Sequence, residues 1–343
     1  MGNLKLPAKL TILNALPDGI LDHKAEDLYQ ILEGPTLIHL NGALEPAIFV
    51  SVLLHGNEHT SWEALRYLLK EFSGRELPRS ISLFIGNVEA AKYNARHLDG
   101  NVDFNRIWGS ENQEPRPLMQ EVLTQMRERG VFLSIDIHNN TGKNPHYACV
   151  NNLNPEFLYL ASLFSHNVVY FLKPEGVQSM AFSKLCPAVT VECGLSGDSS
   201  GTLHALEFLL AGLTISHFPS NALSNSKLRI FHTVAIVKIN PAYEFTFNQN
   251  LNDDNCQIVL DQKLESTNFS ELNPGTLLGR VSDAIEKPLL ILAEDGRDVS
   301  DDYIDVKNNT LTLKRKVIPS MFTLNKDVIK KDCLCYFMEH YPL

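Results

Sequence analysis

The chain is short of the features that mark secreted, membrane-embedded or nucleic-acid-binding proteins. Cysteine is sparse, six in 343 residues, scattered at Cys149, Cys186, Cys193, Cys256, Cys333 and Cys335 with no Cys-x-x-Cys among them. That spacing argues against a disulfide scaffold or a thiolate zinc site and predicts free thiols in a reducing compartment. Long hydrophobic runs are missing too. The longest, FLLAGLTI around Leu209, is too short to span a bilayer. The first 28 residues contain no uninterrupted apolar core of the kind a secretory signal needs, so a cytoplasmic protein is expected. Positive charge is in deficit: 30 Lys and Arg against 40 Asp and Glu give a net charge of −10. A nucleic-acid partner would want a basic face, and an anionic membrane would want the same. Internal repeats and low-complexity tracts are absent.

What is present is an alternation. AIFVSVLL (Ala47–Leu54), SISLFIGN (Ser80–Asn87), VFLSIDI (Val131–Ile137) and PAVTVEC (Pro187–Cys193) read as buried strands bounded by turn residues. Helical patterns lie between them. Trp62, Leu65, Leu68, Leu69 and Phe72 share one face, with Gly74 as a stop; RPLMQEVLTQMRERG ends on Gly130; NPEFLYLASLF opens with Asn154 as cap and Pro155 in the first turn. The helix GTLHALEFLLAGLTISHF closes the series. Strands alternating with helices predict an α/β domain with a mainly parallel or mixed sheet and helices on both faces. After Pro219 the texture changes. SNALSNSK (Ser220–Lys227) reads as a linker, and LRIFHTVAIVKI, YEFTFN, CQIVL, LLILAED, TLTLKRKVI and CLCYFM read as strands separated by turn signals. The expected organisation is an α/β domain over residues 1–222 and a smaller all-β domain over residues 223–343.

The first strand breaks into His55-Gly56-Asn57-Glu58. Ligands of open α/β sheets bind beyond the carboxyl ends of the strands, and a His-x-x-Glu there can offer an imidazole nitrogen and a carboxylate to one metal, with Gly56 allowing the turn. By itself the motif is also compatible with a satisfied loop histidine and an exposed acid. A second strand, LSIDIHNNTG, closes on His138. Two histidines and one glutamate make a donor set typical of catalytic zinc with a fourth position open, and a poor one for magnesium or calcium. LDGNVDFNRIW supplies Asp103, Asn105 and Arg106. Arg106 can grip a carboxylate in a bidentate fashion, Asn105 can add a hydrogen bond, and Asp103 can fix the far nitrogen of a ligand histidine; the plainer alternative is a surface turn with an ordinary ion pair. In AVTVECG, Glu192 ends a strand otherwise without charge. It is either a structural oddity or a general base. His59 and His97 flank these motifs, while His204 and His340 lie apart from them.

HGNE, DFNR, DIHNNTG and VECG, in this order, resemble the succinylglutamate desuccinylase/aspartoacylase family of the wider zinc carboxypeptidase group. The resemblance runs from about Phe49 to Gly194, and the following β domain fits the same layout. It implies one Zn²⁺ per chain held by His55, Glu58 and His138, with Glu192 as catalytic glutamate. It implies that Asn105 and Arg106 bind a substrate carboxylate and that Asp103 backs a ligand. It also implies an arginine polarising the scissile carbonyl, for which Arg96 is the candidate. A second substrate-binding arginine would fall at Phe182, and Lys184 is the nearest replacement, equally readable as a solvated surface lysine. The expected activity is hydrolysis of the amide of a small N-acyl amino acid, with a small carboxylate-bearing molecule as partner and self-association left open. A carboxypeptidase on short peptides and a catalytically silent metal-binding protein are the alternatives. The β domain is expected to narrow access to the cleft.

Overall fold

The computed structural model describes residues 9–110, 112–219, 228–251, 256–283 and 285–342; the expected linker Ser220–Lys227 lies outside them. The chain forms two compact units. One comprises Met1–Asn139 with His146–Arg229, the other Asn140–Pro145 with Ile230–Leu343.

The first unit is built on a mixed sheet. Its strands are β1 (Thr11–Leu13), β2 (Thr36–Leu40), β3 (Gly42–Val52), β4 (Leu77–Ile85), β5 (Val131–Asn140), β6 (Tyr147–Val150), β7 (Asn167–Tyr170) and β8 (Ala188–Leu195), in spatial order β1-β2-β4-β3-β5-β8-β6-β7. At its centre β3 runs parallel to both β4 and β5. These strands are apolar because they are covered on both faces: Ala47 to Val52 of β3 are buried without interruption, as are Leu133 to Asn140 of β5. Four of the eight strands match the apolar runs read from the sequence. β1, β2, β6 and β7 do not, because they are short and their sequences carry polar residues such as His39 and Asn167.

The helices follow their patterns. In α1 (Thr60–Glu71) Trp62, Leu65, Leu68 and Leu69 are buried, and Gly74 takes a left-handed φ of 73° just beyond the last turn. α2 (Val88–Lys92) is a single turn capped by the Asn87 side chain, which accepts from the Ala90 N–H. α3 (Pro117–Arg129) stops at Gly130, α4 (Pro155–Phe164) starts on Pro155, and α5 (Gln178–Phe182) and α6 (Ser199–Thr214) flank β8 in sequence. No helix among the described residues is long and apolar enough to cross a membrane. None of the six cysteines, all among the described residues, forms a disulfide.

The second unit is strand-rich, as expected. β9 (Arg229–Ile239) alternates buried and half-buried residues with period two, the mark of a strand with one face on a core. It continues with β10 (Phe245–Phe247), β11 (Ile258–Leu260), β12 (Leu277–Val281), β13 (Leu289–Ala293), β14 (Ile304–Lys307), β15 (Thr310–Leu313), β16 (Ile318–Ser320) and β17 (Cys335–His340). β9 pairs antiparallel with β13 and β17, and β17 with β16; a separate sheet has the order β10-β11-β12-β15-β14. Val237, Leu260, Leu264, Ile291, Leu311 and Phe337 lie in a shared buried cluster.

Candidate metal centre

The centre assembles at the carboxyl ends of β3, β5 and β8. β3 leaves the sheet at Leu53, whose φ of 55° is unusual for a leucine. The Leu53 N–H donates to the Ser61 hydroxyl, and the Leu53 carbonyl accepts from the Asn87 N–H. That kink delivers His55. Gly56 lies in the expected turn, which the Glu58 N–H closes on the His55 carbonyl at 3.2 Å, and its φ is not left-handed. A side chain is excluded because α2 lies against it, and a Cβ would come within 2.3 Å of Ala90 and Ala91 backbone atoms. The Gly56 N–H in turn holds the Arg96 carbonyl at 3.1 Å.

His55, Glu58 and His138 converge. Each offers a ligand atom, and these atoms lie within 4.8 Å of one another, all on buried residues. Glu58 bridges the two histidines, with Oε1 2.8 Å from His55 Nδ1 and Oε2 2.6 Å from His138 Nδ1. The Asn139 N–H also donates to Oε2, at 3.3 Å. The outer nitrogens are both backed by carboxylates. His55 Nε2 lies 3.0 Å from Asp103 Oδ1, and His138 Nε2 lies 2.8 Å from Asp136 Oδ2. An N–H at each Nε2 leaves each Nδ1 directed at the same point.

The electrostatics fit a cation. Burial opposes ionisation of Glu58, but the facing His55 and His138 outweigh it and hold its pKa far below the usual carboxylate range. Burial likewise opposes a charged His138, but Asp136 and Glu58 outweigh it and push its pKa well up. A buried pocket that concentrates carboxylates around two imidazoles draws in positive charge, either protons or a metal ion. Two nitrogens and one carboxylate oxygen form the donor set of a borderline-soft divalent ion rather than of magnesium or calcium.

The other expected residues gather at the same place with one exception. Asp103 links His55 to Arg96, whose Nε and Nη2 reach Oδ2 at 3.3 and 3.1 Å. Burial raises the Asp103 pKa, but His55 and then Arg96 and Arg106 bring it well below its ordinary value. Asn105 is buried. Its Nδ2 lies 3.3 Å from His138 Nε2, and its Oδ1 accepts from the Gln178 N–H at 3.0 Å. Arg106 is half-buried and donates to the Asn105 carbonyl. Glu192 stands in β8 opposite Tyr147. Burial raises its pKa to about 7, with His138 pulling down and Glu58 pushing up. Lys184 is exposed, past the end of α5, and takes no part in these hydrogen bonds. Phe182 is a core residue, stacked on Phe49 with ring centroids 4.1 Å apart.

Two residues of the cluster escaped the sequence reading. Asp136 is fully buried, and its Oδ1 accepts from the Ser51 hydroxyl at 2.7 Å. Both signals were in the strands: Asp136 sits two residues before His138, on the same strand face, and Ser51 interrupts an apolar run directly beside it in the β3–β5 register.

Comparison with known proteins points to a family. Residues 45–211, just under half of the chain, match the model of the succinylglutamate desuccinylase/aspartoacylase catalytic domain. No match was found among curated proteins. Among solved structures, a succinylglutamate desuccinylase from Vibrio parahaemolyticus aligns over 88% of this chain and 84% of its own, at 17% identity and a TM-score of 0.56. One from Chromobacterium violaceum aligns over 88% and 86%, at 17% identity and 0.54. A succinylglutamate desuccinylase/aspartoacylase from Rhodobacter sphaeroides aligns over 88% of each chain, at 14% identity and 0.54. At these identities the likeness is one of fold.

Proposed function

We propose that this protein is a zinc-dependent hydrolase that cleaves the amide bond of a small N-acyl amino acid. The observation that carries the proposal is the buried His55–Glu58–His138 group with both outer imidazole nitrogens held by aspartates. One zinc ion per chain would be held by His55, Glu58 and His138. When bound, zinc supplies a Lewis acid that acidifies water and polarises the amide carbonyl.

The remaining chemistry belongs to the chain. Glu192 is the general base: it takes a proton from water and passes it to the leaving amine. A carboxyl raised by burial is suited to that exchange near neutral pH. Arg96, fixed by Asp103, faces charge developing on the carbonyl oxygen. Arg106 grips a substrate carboxylate with Asn105 beside it, so that binding remote from the amide sets its register. Because the base must be ionised, turnover falls as pH drops through the Glu192 pKa. A bound cation lowers that pKa, so the acid limb of the loaded enzyme lies below about 7.

Elemental analysis and turnover test the proposal together. Wild-type protein should carry one zinc per chain, and His138→Ala should lose it. Glu192→Gln should keep the metal and lose roughly 10²–10⁴-fold in rate. Full zinc occupancy in His138→Ala, or near wild-type turnover in Glu192→Gln, would sink it. Rates on an acyl amino acid and on the same amide extended by one and two residues separate a deacylase from a carboxypeptidase: the former falls with length.

A further inference from the structure

Within the first unit, the residues that lead into α5 are locked against the loop that carries Asn105 and Arg106. The Trp108 N–H donates to the Gly176 carbonyl at 3.0 Å. Gly176 takes a left-handed φ of 78°, and a Cβ on it would come within 2.7 Å of the Arg106 carbonyl oxygen, so the two backbones can meet only at a glycine. Two residues on, the Gln178 N–H donates to Asn105 Oδ1 at 3.0 Å. The Gln178 side chain turns to the sheet instead. Its Nε2 donates to the Ser134 hydroxyl at 2.7 Å, and its Oε1 has no partner among the described residues. Gln178 and Ser134 are both fully buried. Ser134 lies on the face of β5 that also bears Asp136 and His138, at intervals of two residues.

A backbone N–H can only donate, so Gln178 decides which way round the Asn105 amide stands. Oδ1 faces Gln178, and Nδ2 faces the centre, 3.3 Å from His138 Nε2. With the Nε2 proton held by Asp136, both groups are donors and cannot bond each other; Nδ2 keeps its hydrogens for an acceptor that the substrate brings. We propose that Gln178 is a positioning residue for substrate recognition: through Ser134 it ties the Asn105 amide, and the Arg106 backbone beside it, to the strand that carries His138. This rests on the reading of Asn105 and Arg106 as the carboxylate grip. A carboxylate held alike in the ground state and the transition state sets KM rather than kcat, so the effect of Gln178 falls on KM.

Steady-state kinetics test this on the N-acyl amino acid that the wild type cleaves fastest and on its carboxamide counterparts, each with one carboxylate replaced by a primary amide. Gln178→Met removes the bond to Ser134 with little change of volume. It should raise KM about 10-fold and leave kcat within a few-fold, the loss expected when a hydrogen bond to a charged group is misaimed. The preference for carboxylate over carboxamide should shrink by a similar factor. Ser134→Ala breaks the same bond from the other side and should act alike, and the two effects should not add in the double variant. Zinc content by elemental analysis should stay at the wild-type level in all three. A merely structural role would lower the melting temperature or the active fraction, and with it kcat, while KM and the preference stayed put. If Gln178→Met does not fold, Ser134→Ala decides. Wild-type KM and preference in the folded variants, or a fall confined to kcat, overturns the inference alone. A wild-type protein without a carboxylate preference overturns the reading of Asn105 and Arg106 and the inference with it.

Discussion

The ends of β3 and β5 do the same task by different means. At the end of β3 the histidine sits beyond the strand, in a turn fixed by Leu53 and by the close approach of Gly56 to α2. The acid behind it, Asp103, arrives from a loop 48 residues away, keeps 16% of its side chain exposed, and has its charge met by Arg96. At the end of β5 the histidine is still within the strand. Its acid is two residues back on the same face, fully buried, and met by a neutral hydroxyl from Ser51. Strand periodicity supplies the second arm almost unaided, whereas the first needs a loop, a glycine contact and an arginine. An ionised group in a dry site with only a hydroxyl partner interacts more strongly with its histidine than one shared with an arginine near solvent.

The comparison is broken most directly at Asp136. Asp136→Asn preserves shape and an acceptor for His138 but removes the charge. Zinc affinity should fall by up to about 100-fold, the upper end for a residue behind a ligand. Competition with a chromogenic chelator at fixed pH and salt measures it. An unchanged dissociation constant would mean that the charge of Asp136 contributes nothing to metal holding.

This asymmetry also accounts for what the sequence disclosed. The central strands, the helices with a clean apolar face and the strand-rich C-terminal third were legible because burial imposes a period of 2 or 3.6 on them. His55, Glu58, His138 and Glu192 were legible because each is a polar residue closing an apolar run. Ser51 and Asp136 lie inside such runs, where a polar residue is easily read past, and only the register of β3 against β5 brings them together. The short strands Tyr147–Val150 and Asn167–Tyr170 were missed because four residues carry too little pattern. The contact of Gly56 with α2 was not legible because close packing of a helix against a backbone leaves no local signature.

At the other arm the expected effect is smaller. Asp103→Asn should weaken zinc binding by roughly 10-fold, since the charge removed is already balanced by Arg96 and partly exposed to solvent. The loss should also depend more on ionic strength than the loss in Asp136→Asn, because salt screens accessible charges more than buried ones. Titrations at two salt concentrations check both points. If Asp103→Asn costs as much as Asp136→Asn, burial does not set the weight of the two arms.

Ser51→Ala sharpens the comparison with the smallest perturbation. The hydroxyl is fully buried and donates to Asp136 at 2.7 Å. Removing it leaves a buried carboxylate oxygen short of a donor, which typically costs about 1–3 kcal/mol of stability, while the carboxylate itself remains against His138. Zinc affinity should therefore fall only a few-fold, through looser orientation of Asp136 and not through lost charge. A double-mutant cycle isolates the route. If Ser51 acts on the metal only by holding Asp136, Ser51→Ala should weaken zinc binding in the wild-type background and have little further effect in the Asp136→Asn background. Simple additivity of the two losses would show that Ser51 reaches the centre some other way, and the relay from β3 through Asp136 to His138 would have to be abandoned.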